Sequence, residues 1–166
     1  MKWVWRSLLL GLVIAGSVWL WLTLYPSPEK VIRDRLGQLA RQATFTPGES
    51  DLVQLGKISG LTGFFTDEVE VKLNFRDRAQ HGSLTHEMIQ AGAATARQQF
   101  PHGFKIEFLD PVVVLSAARD QATVELTMKA TVPGDKNLDV QEMKFALRKK
   151  DDRWLIYAAE TVKTLK

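Results

Sequence analysis

The side chains able to move a proton or hold a metal are few in this 166-residue chain, which has three histidines and no cysteine. Without cysteine there is no disulfide, no thiolate metal site, no thiol nucleophile and no lipoprotein acylation. His81 and His86 are five residues apart, so they miss the i, i+4 spacing that puts two ligands on one helix face. No glycine-rich phosphate loop occurs, and neither a metal nor a cofactor is expected. The remaining acid–base candidates are Asp67, Glu87, His102 and Asp110, and each has a plain structural role. Glu87 suits the positive end of a helix dipole. Asp110 precedes Pro111 and shapes a turn. His81 and His102 adjoin Gly82 and Gly103 and read as solvated loop residues. Asp67 reads as a turn acid at the entrance to a strand. His86 would serve as a general base only where a helix start opens onto a cavity. Asp67 and His86 are the two polar candidates kept, and no residue is assigned to catalysis.

The apolar candidates are more numerous. Phe64, Phe65, Met88, Phe104, Phe108 and Trp154 are placed to line a pocket for an apolar ligand. Their alternation with polar residues assigns them first to an ordinary core.

The elements that hold these residues follow from periodicity. Ser27-Pro28-Glu29 is a helix start, with a hydroxyl cap, proline in the first turn and an early acid. Val31, Ile32, Leu36, Leu39, Ala40 and Ala43 then share one face, and Thr46-Pro47-Gly48 ends the helix. Ser50 caps a second short helix carrying Leu52, Val53, Leu55 and Ile58, with Gly56 and Gly60 as breakers. Val69, Val71, Leu73 and Phe75 alternate with polar residues, which marks a half-buried strand. Ser83 is expected to cap a third helix that packs Leu84, Met88, Ile89, Ala93, Ala96 and Phe100 inward. Strand patterns follow from Phe104, with a bend at Pro111 and a buried run over Val112–Leu115. Ala122–Val132 alternates cleanly, and imperfect alternation after Val140 suggests a bulge. Trp154 to Val162 forms the last strand. Short connections between these strands imply an antiparallel meander, and helices grouped before it imply an α+β fold.

The N-terminal segment has a different chemistry. Ser7 to Tyr25 are 19 residues without a charge, about 28 Å as a helix against a hydrocarbon core of about 30 Å. Ten are Leu, Ile or Val, which together favour insertion by about 3–6 kcal/mol before Gly11, Gly16 and the hydroxyl residues offset part of it. Trp3, Trp5, Trp19, Trp21 and Tyr25 suit the two interfaces. A cleaved signal peptide is the rival, but Leu24-Tyr25-Pro26-Ser27-Pro28 is poor cleavage context. We therefore expect a cytoplasmic tail at 1–6, an uncleaved transmembrane signal anchor at 7–25, and a cap or linker at 26–30. The domain over 28–166 is then extracytoplasmic, periplasmic in a Gram-negative cell. That domain carries 20 basic and 19 acidic residues, so nucleic-acid binding is not expected. Gly11 and Ala15 form a small-xxx-small pair, a weak signal for helix pairing.

Two stretches carry a family likeness. Phe64-Phe65-Thr66-Asp67-Glu68-Val69-Glu70-Val71 resembles the junction into the first strand of the nuclear transport factor 2-like (SnoaL-like) superfamily. Lys149-Lys150-Asp151-Asp152-Arg153-Trp154-Leu155-Ile156 resembles its final hairpin, with Asp152 where the family usually has glycine. The resemblance implies a cone-shaped, curved antiparallel sheet packed on helices around a cavity, and a homodimer through the sheet face. The superfamily includes isomerases, dehydratases and cyclases, passive binders, and tethered subunits of secretion systems. The functional expectation is a membrane-anchored binding or assembly domain without catalysis, its partner an unknown protein or a small apolar ligand. A small cavity enzyme and a structural subunit of an envelope transport or secretion complex are the alternatives.

Overall fold

The computed structural model describes residues 26–75, 78–134 and 139–162. The expected tail and anchor at 1–25 lie outside the described residues. Among the described residues, no helix is long and apolar enough to cross a membrane.

Helix α1 spans Pro28–Ala43 and begins as its sequence requires, with Ser27 Oγ accepting from the Lys30 amide at 3.3 Å. Its stripe of Ile32, Leu36, Leu39 and Ala40 is buried. Helix α2 spans Asp51–Leu61, capped by Ser50, whose Oγ accepts from the Val53 amide. Gly56 and Gly60 lie inside this helix and do not break it, a correction to the sequence reading. Gly60 has a packing reason, because the Gln42 amide lies against it. A 3-10 turn at Thr62–Phe64 leads into β1, Phe65–Phe75.

The next element departs from expectation. Arg78–Thr85 is strand β2, paired antiparallel with β1 from Phe75↔Arg78 to Glu68↔Thr85. Ser83 therefore lies in a strand, and Thr85 caps helix α3, His86–Gln99, accepting from the Met88 amide at 3.4 Å. Arg-Ala-Gln-His-Gly-Ser-Leu-Thr has no alternating apolar face, and β2 forms because the edge of β1 supplies the ladder. Met88 is 52% exposed rather than inward, and no α3 residue is fully buried.

Strands β3 (Lys105–Leu115), β4 (Gln121–Thr131), β5 (Asp139–Lys150) and β6 (Arg153–Thr161) complete one curved six-stranded sheet of order β2-β1-β6-β5-β4-β3. Neighbours are antiparallel except β1 and β6, which run parallel, so the sheet is not wholly antiparallel. The Pro111 bend is a bulge: Leu109 pairs with Thr127 and Val112 with Glu125, leaving one extra residue in β3. Asp110 takes φ +50° there. Val112–Leu115 is not a buried run, because Val112 and Val114 point outward at 59% and 61% exposure. Val140 is likewise on the outer face, which explains the imperfect alternation of β5. The bulge lies instead in β6, where Ala146↔Ala158 steps to Leu147↔Ile156 across Tyr157. The β5–β6 turn carries Asp151 and Asp152 at φ +49° and +59°, the pair of left-handed residues that a tight two-residue hairpin needs.

The core lies between α1 and the concave face of the sheet. Ile32, Leu36 and Leu39 meet Val124 and Leu126 of β4, Met143, Phe145 and Leu147 of β5, and Trp154 and Ile156 of β6. Arg35 ties the layers together at the edge of this core. Its guanidinium donates to the Trp154 and Gly63 carbonyls and lies 4.8 Å from the Phe64 ring centroid. Burial, with Arg153 nearby, holds its pKa below the ordinary value.

Candidate functional site

Side chains cover the concave face of the sheet. Phe64 and Trp154 are 7% and 2% exposed and belong to the core, with Phe65 and Phe108 packed against it. Phe108 also lines an open gap of about 650 Å³ between α1 and β3. Phe108 meets Phe145 edge to face at 5.7 Å. Among the described residues, the only buried polar or charged side chains are Gln54 and Thr66. Thr66 is satisfied, donating to the Glu68 carbonyl.

The two polar candidates fall at one end of β1 and β2. Asp67 is exposed, while His86 is half-buried at the first position of α3. The β1–β2 ladder ends at the Glu68–Thr85 pair, with Asp67 one residue before it and His86 one residue after it in the chain. His86 Nε2 is shielded from solvent and has no hydrogen-bond partner among the described residues. Glu87 is exposed and accepts from the Thr85 hydroxyl at 2.7 Å, which with its own backbone hydrogen bond holds its pKa below the usual carboxylate value. His81, His102 and Asp110 are exposed on a strand, in a turn and at the bulge. No group of three potential ligands is arranged for a metal among the described residues.

A second cleft lies away from the concave face of the sheet, between α2, α3 and the loops that follow α1 and α3. It has a volume of about 530 Å³. Its walls are mixed, with Phe45, Pro47, Ile58 and Phe100 supplying the apolar part. Phe104 supports the wall from behind: it stacks on Phe100 at 5.4 Å and bridges Phe45 through paired backbone hydrogen bonds of 2.8 and 2.9 Å. Gly103 makes this corner possible at φ +101°, since a Cβ there would meet the Phe45 carbonyl oxygen and Pro47 Cδ at 3.0 Å.

Four polar side chains line this cleft, Thr46, Gln54, Arg97 and Gln98, and two of them bear on binding. Gln54 is 7% exposed, its Nε2 donates to the Glu49 carbonyl at 2.6 Å, and its Oε1 has no donor among the described residues. Such an orphan acceptor costs about 1–3 kcal/mol, so its presence calls for an explanation. Arg97 reaches in from α3, and its ion pair among the described residues is a 3.6 Å contact with Asp51, whose side chain is 97% exposed. At that separation in water the pair is weak, which leaves the guanidinium available to another anion. Leu55 stands at the rim, 63% exposed, and Leu52 beyond it is 82% exposed. Helix α2 thus turns Gln54 and Leu61 inward and Leu52 and Leu55 outward. The sequence reading missed Gln54. The signal was its helical spacing with Ile58 and Leu61, which makes it the one polar member of that face.

The comparisons with known proteins agree on the fold. No protein-family model matches the chain, and no curated protein matches it in sequence. Solved structures do match. A domain of unknown function with a cystatin-like fold from Nostoc punctiforme superposes with a TM-score of 0.62 at 16% identity, over 86% of this chain and 80% of its own. A nuclear transport factor 2-like protein from Novosphingobium aromaticivorans gives 0.61 at 12% identity, over 89% and 86%. Aln2 from a Streptomyces species gives 0.58 at 16% identity, over 83% and 93%. The described domain has the nuclear transport factor 2-like, or cystatin-like, α+β fold. At these identities the likeness concerns the fold alone.

Proposed function

We propose that this protein is a membrane-tethered binding domain whose ligand sits in the α2–α3 cleft rather than inside the cone. The observation that carries the reading is Gln54, a buried acceptor without a donor among the described residues, in the wall of a cleft that also presents Phe45, Ile58 and Phe100. A ligand with an apolar body, one hydrogen-bond donor and an anionic group would satisfy Gln54, engage Arg97 and cover Phe45 and Phe100. Small acidic amphiphiles have this chemistry. The packed core supports a binding role, since among the described residues its buried side chains include no acid or base on which to build proton transfer. The uncharged Ser7–Tyr25 segment supports the tether, with the domain outside the cytoplasm.

Full-length protein purified in mild detergent and examined by native mass spectrometry tests the ligand. A co-purifying acidic amphiphile that disappears from Ile58→Trp, which fills the cleft, supports the reading. Identical spectra for the two proteins sink it. Topology needs its own assay, because Lys30, Arg33, Arg35 and Arg41 follow the segment while only Lys2 and Arg6 precede it. An alkaline phosphatase fusion after residue 166 is active if the domain is exported. An inactive phosphatase with a fluorescent cytoplasmic reporter would place it on the other side.

His86 favours a second reading, a proton-transfer enzyme using the unpartnered Nε2 with Asp67 as its orienting acid. That reading requires a titratable histidine in contact with substrate. An NMR titration in which the His86 ring does not respond to any bound acidic amphiphile would remove it.

A further inference from the structure

The end of the domain that carries the start of α1 is also where three charged segments meet. Glu29 in the first turn of α1 feels the Arg119 charge in the β3–β4 turn, and Arg33 Nε donates to the Pro111 carbonyl at 3.4 Å. The Lys149 amide donates to the Asp120 carbonyl at 2.7 Å, which brings the β5–β6 turn against the β3–β4 turn. Arg35 then links α1 to Trp154 at the start of β6. Residues 29–35, 119–120 and 148–153 therefore form one rim. They hold eight Lys or Arg and five Asp or Glu, a net of +3. The remainder of the 28–166 sequence holds twelve basic and fourteen acidic residues, a net of −2. A near-neutral domain is thus polarised, and its positive end is the end where Ser27 enters α1. Arg78 does not belong to this rim. Strand β1 runs parallel to β6, so the β1–β2 hairpin lies at the opposite end, and Arg76 is outside the described residues.

Only Pro26 and Ser27 separate Tyr25 from α1, about 10 Å of extended chain. If Ser7–Tyr25 spans a bilayer, a rim joined to it this closely lies within reach of the headgroups, inside the Debye length of about 8–10 Å over which their charge acts. We propose that this rim docks on anionic lipid headgroups, orienting the domain with the β3–β4 and β5–β6 turns on the membrane and the α2–α3 cleft away from it. This orientation rests on the tether reading above. The cleft lies toward the far end of α1, whose 16 residues span about 24 Å. A ligand therefore enters from the aqueous side rather than from the lipid.

The absence of native cysteine makes the test direct. Full-length Ala118→Cys and Thr46→Cys, at exposed positions at the two ends of α1, are labelled with an environment-sensitive fluorophore. Each is reconstituted into vesicles of phosphatidylcholine alone or with about 30% phosphatidylglycerol, both carrying a headgroup nitroxide quencher. The expected result is quenching at position 118 at least twofold greater with phosphatidylglycerol, no change at position 46, and loss of the difference in Arg119→Glu/Lys150→Glu. Circular dichroism checks that the double variant folds, and Arg119→Gln/Lys150→Gln substitutes for it if it does not. A chain washed from vesicles by alkaline carbonate overturns the tether reading and this inference with it. A retained chain with equal quenching in both lipids, or with position 46 quenched in place of 118, overturns the docking inference alone.

Discussion

Replacing Gln54 with leucine should make the protein more stable and less able to bind. The side chain is 7% exposed, and its Oε1 lacks a donor. Removing that orphan acceptor gains about 1–3 kcal/mol, and losing the Nε2 bond to the Glu49 carbonyl costs about 0.5–1.5 kcal/mol. Leucine is close to glutamine in volume, so little overpacking is added. The net is a gain of about 1 kcal/mol, or about 4 °C in Tm for a domain of this size. The measurement is thermal and urea unfolding of the full chain in mild detergent, followed by far-ultraviolet circular dichroism. Tryptophan emission serves poorly, because four of the five tryptophans precede Tyr25 and only Trp154 reports on the domain. Ligand retention by native mass spectrometry is read on the same samples. The reasoning is refuted if Gln54→Leu destabilises by more than about 1 kcal/mol, since the oxygen would then be satisfied in solution. It is equally refuted if the variant keeps the ligand unchanged, since the orphan would then have no part in binding.

Gly103→Ala should destabilise by about 1–3 kcal/mol, because φ is +101° and the added Cβ meets the Phe45 carbonyl at 3.0 Å; a urea midpoint equal to wild type contradicts this. Asp110→Val should cost about 1–2 kcal/mol, since a β-branched residue resists φ +50°, whereas Asp110→Gly should be near neutral; the two midpoints measured together separate backbone strain from lost charge. Glu107, with Lys105 and Lys129 beside it, has a folded-state pKa below its ordinary value, as does Asp152 beside Lys149. Their contribution is present above the unfolded carboxylate pKa of about 4 and is lost as pH falls through the folded value. Urea midpoints should therefore decline as pH falls below about 4.5, and Glu107→Gln should flatten the decline; an unchanged slope would remove Glu107 from the account.

Most of the scaffold was legible because it rests on local chemistry. Ser27 and Ser50 cap the helices their sequences announce, and Ile32, Leu36 and Leu39 are buried as their spacing requires. Ala122, Val124 and Leu126 alternate inward as written, and the Pro111 bend is a bulge. Reading failed where a neighbour rather than the segment decides. Strand β2 has no apolar face of its own and exists because β1 offers an edge, which moves the start of α3 from Ser83 to Thr85; Met88, expected inward, is exposed. The candidate site was illegible for a related reason. Phe45, Gln54 and Arg97 come from a loop and two different helices, and no short-range pattern joins them.

The sequence by itself determined an apolar stretch of 19 uncharged residues followed by a near-neutral α+β domain, because hydrophobic runs, caps and periodicity act within a few residues. The tertiary structure alone decided which apolar side chains fill the core and which stand in a cleft. It also left Gln54 without a donor and gathered Lys30, Arg119 and Lys150 at one end. Those outcomes depend on contacts between residues distant in the chain, where packing and the sheet register set the burial of each group and the charge around it.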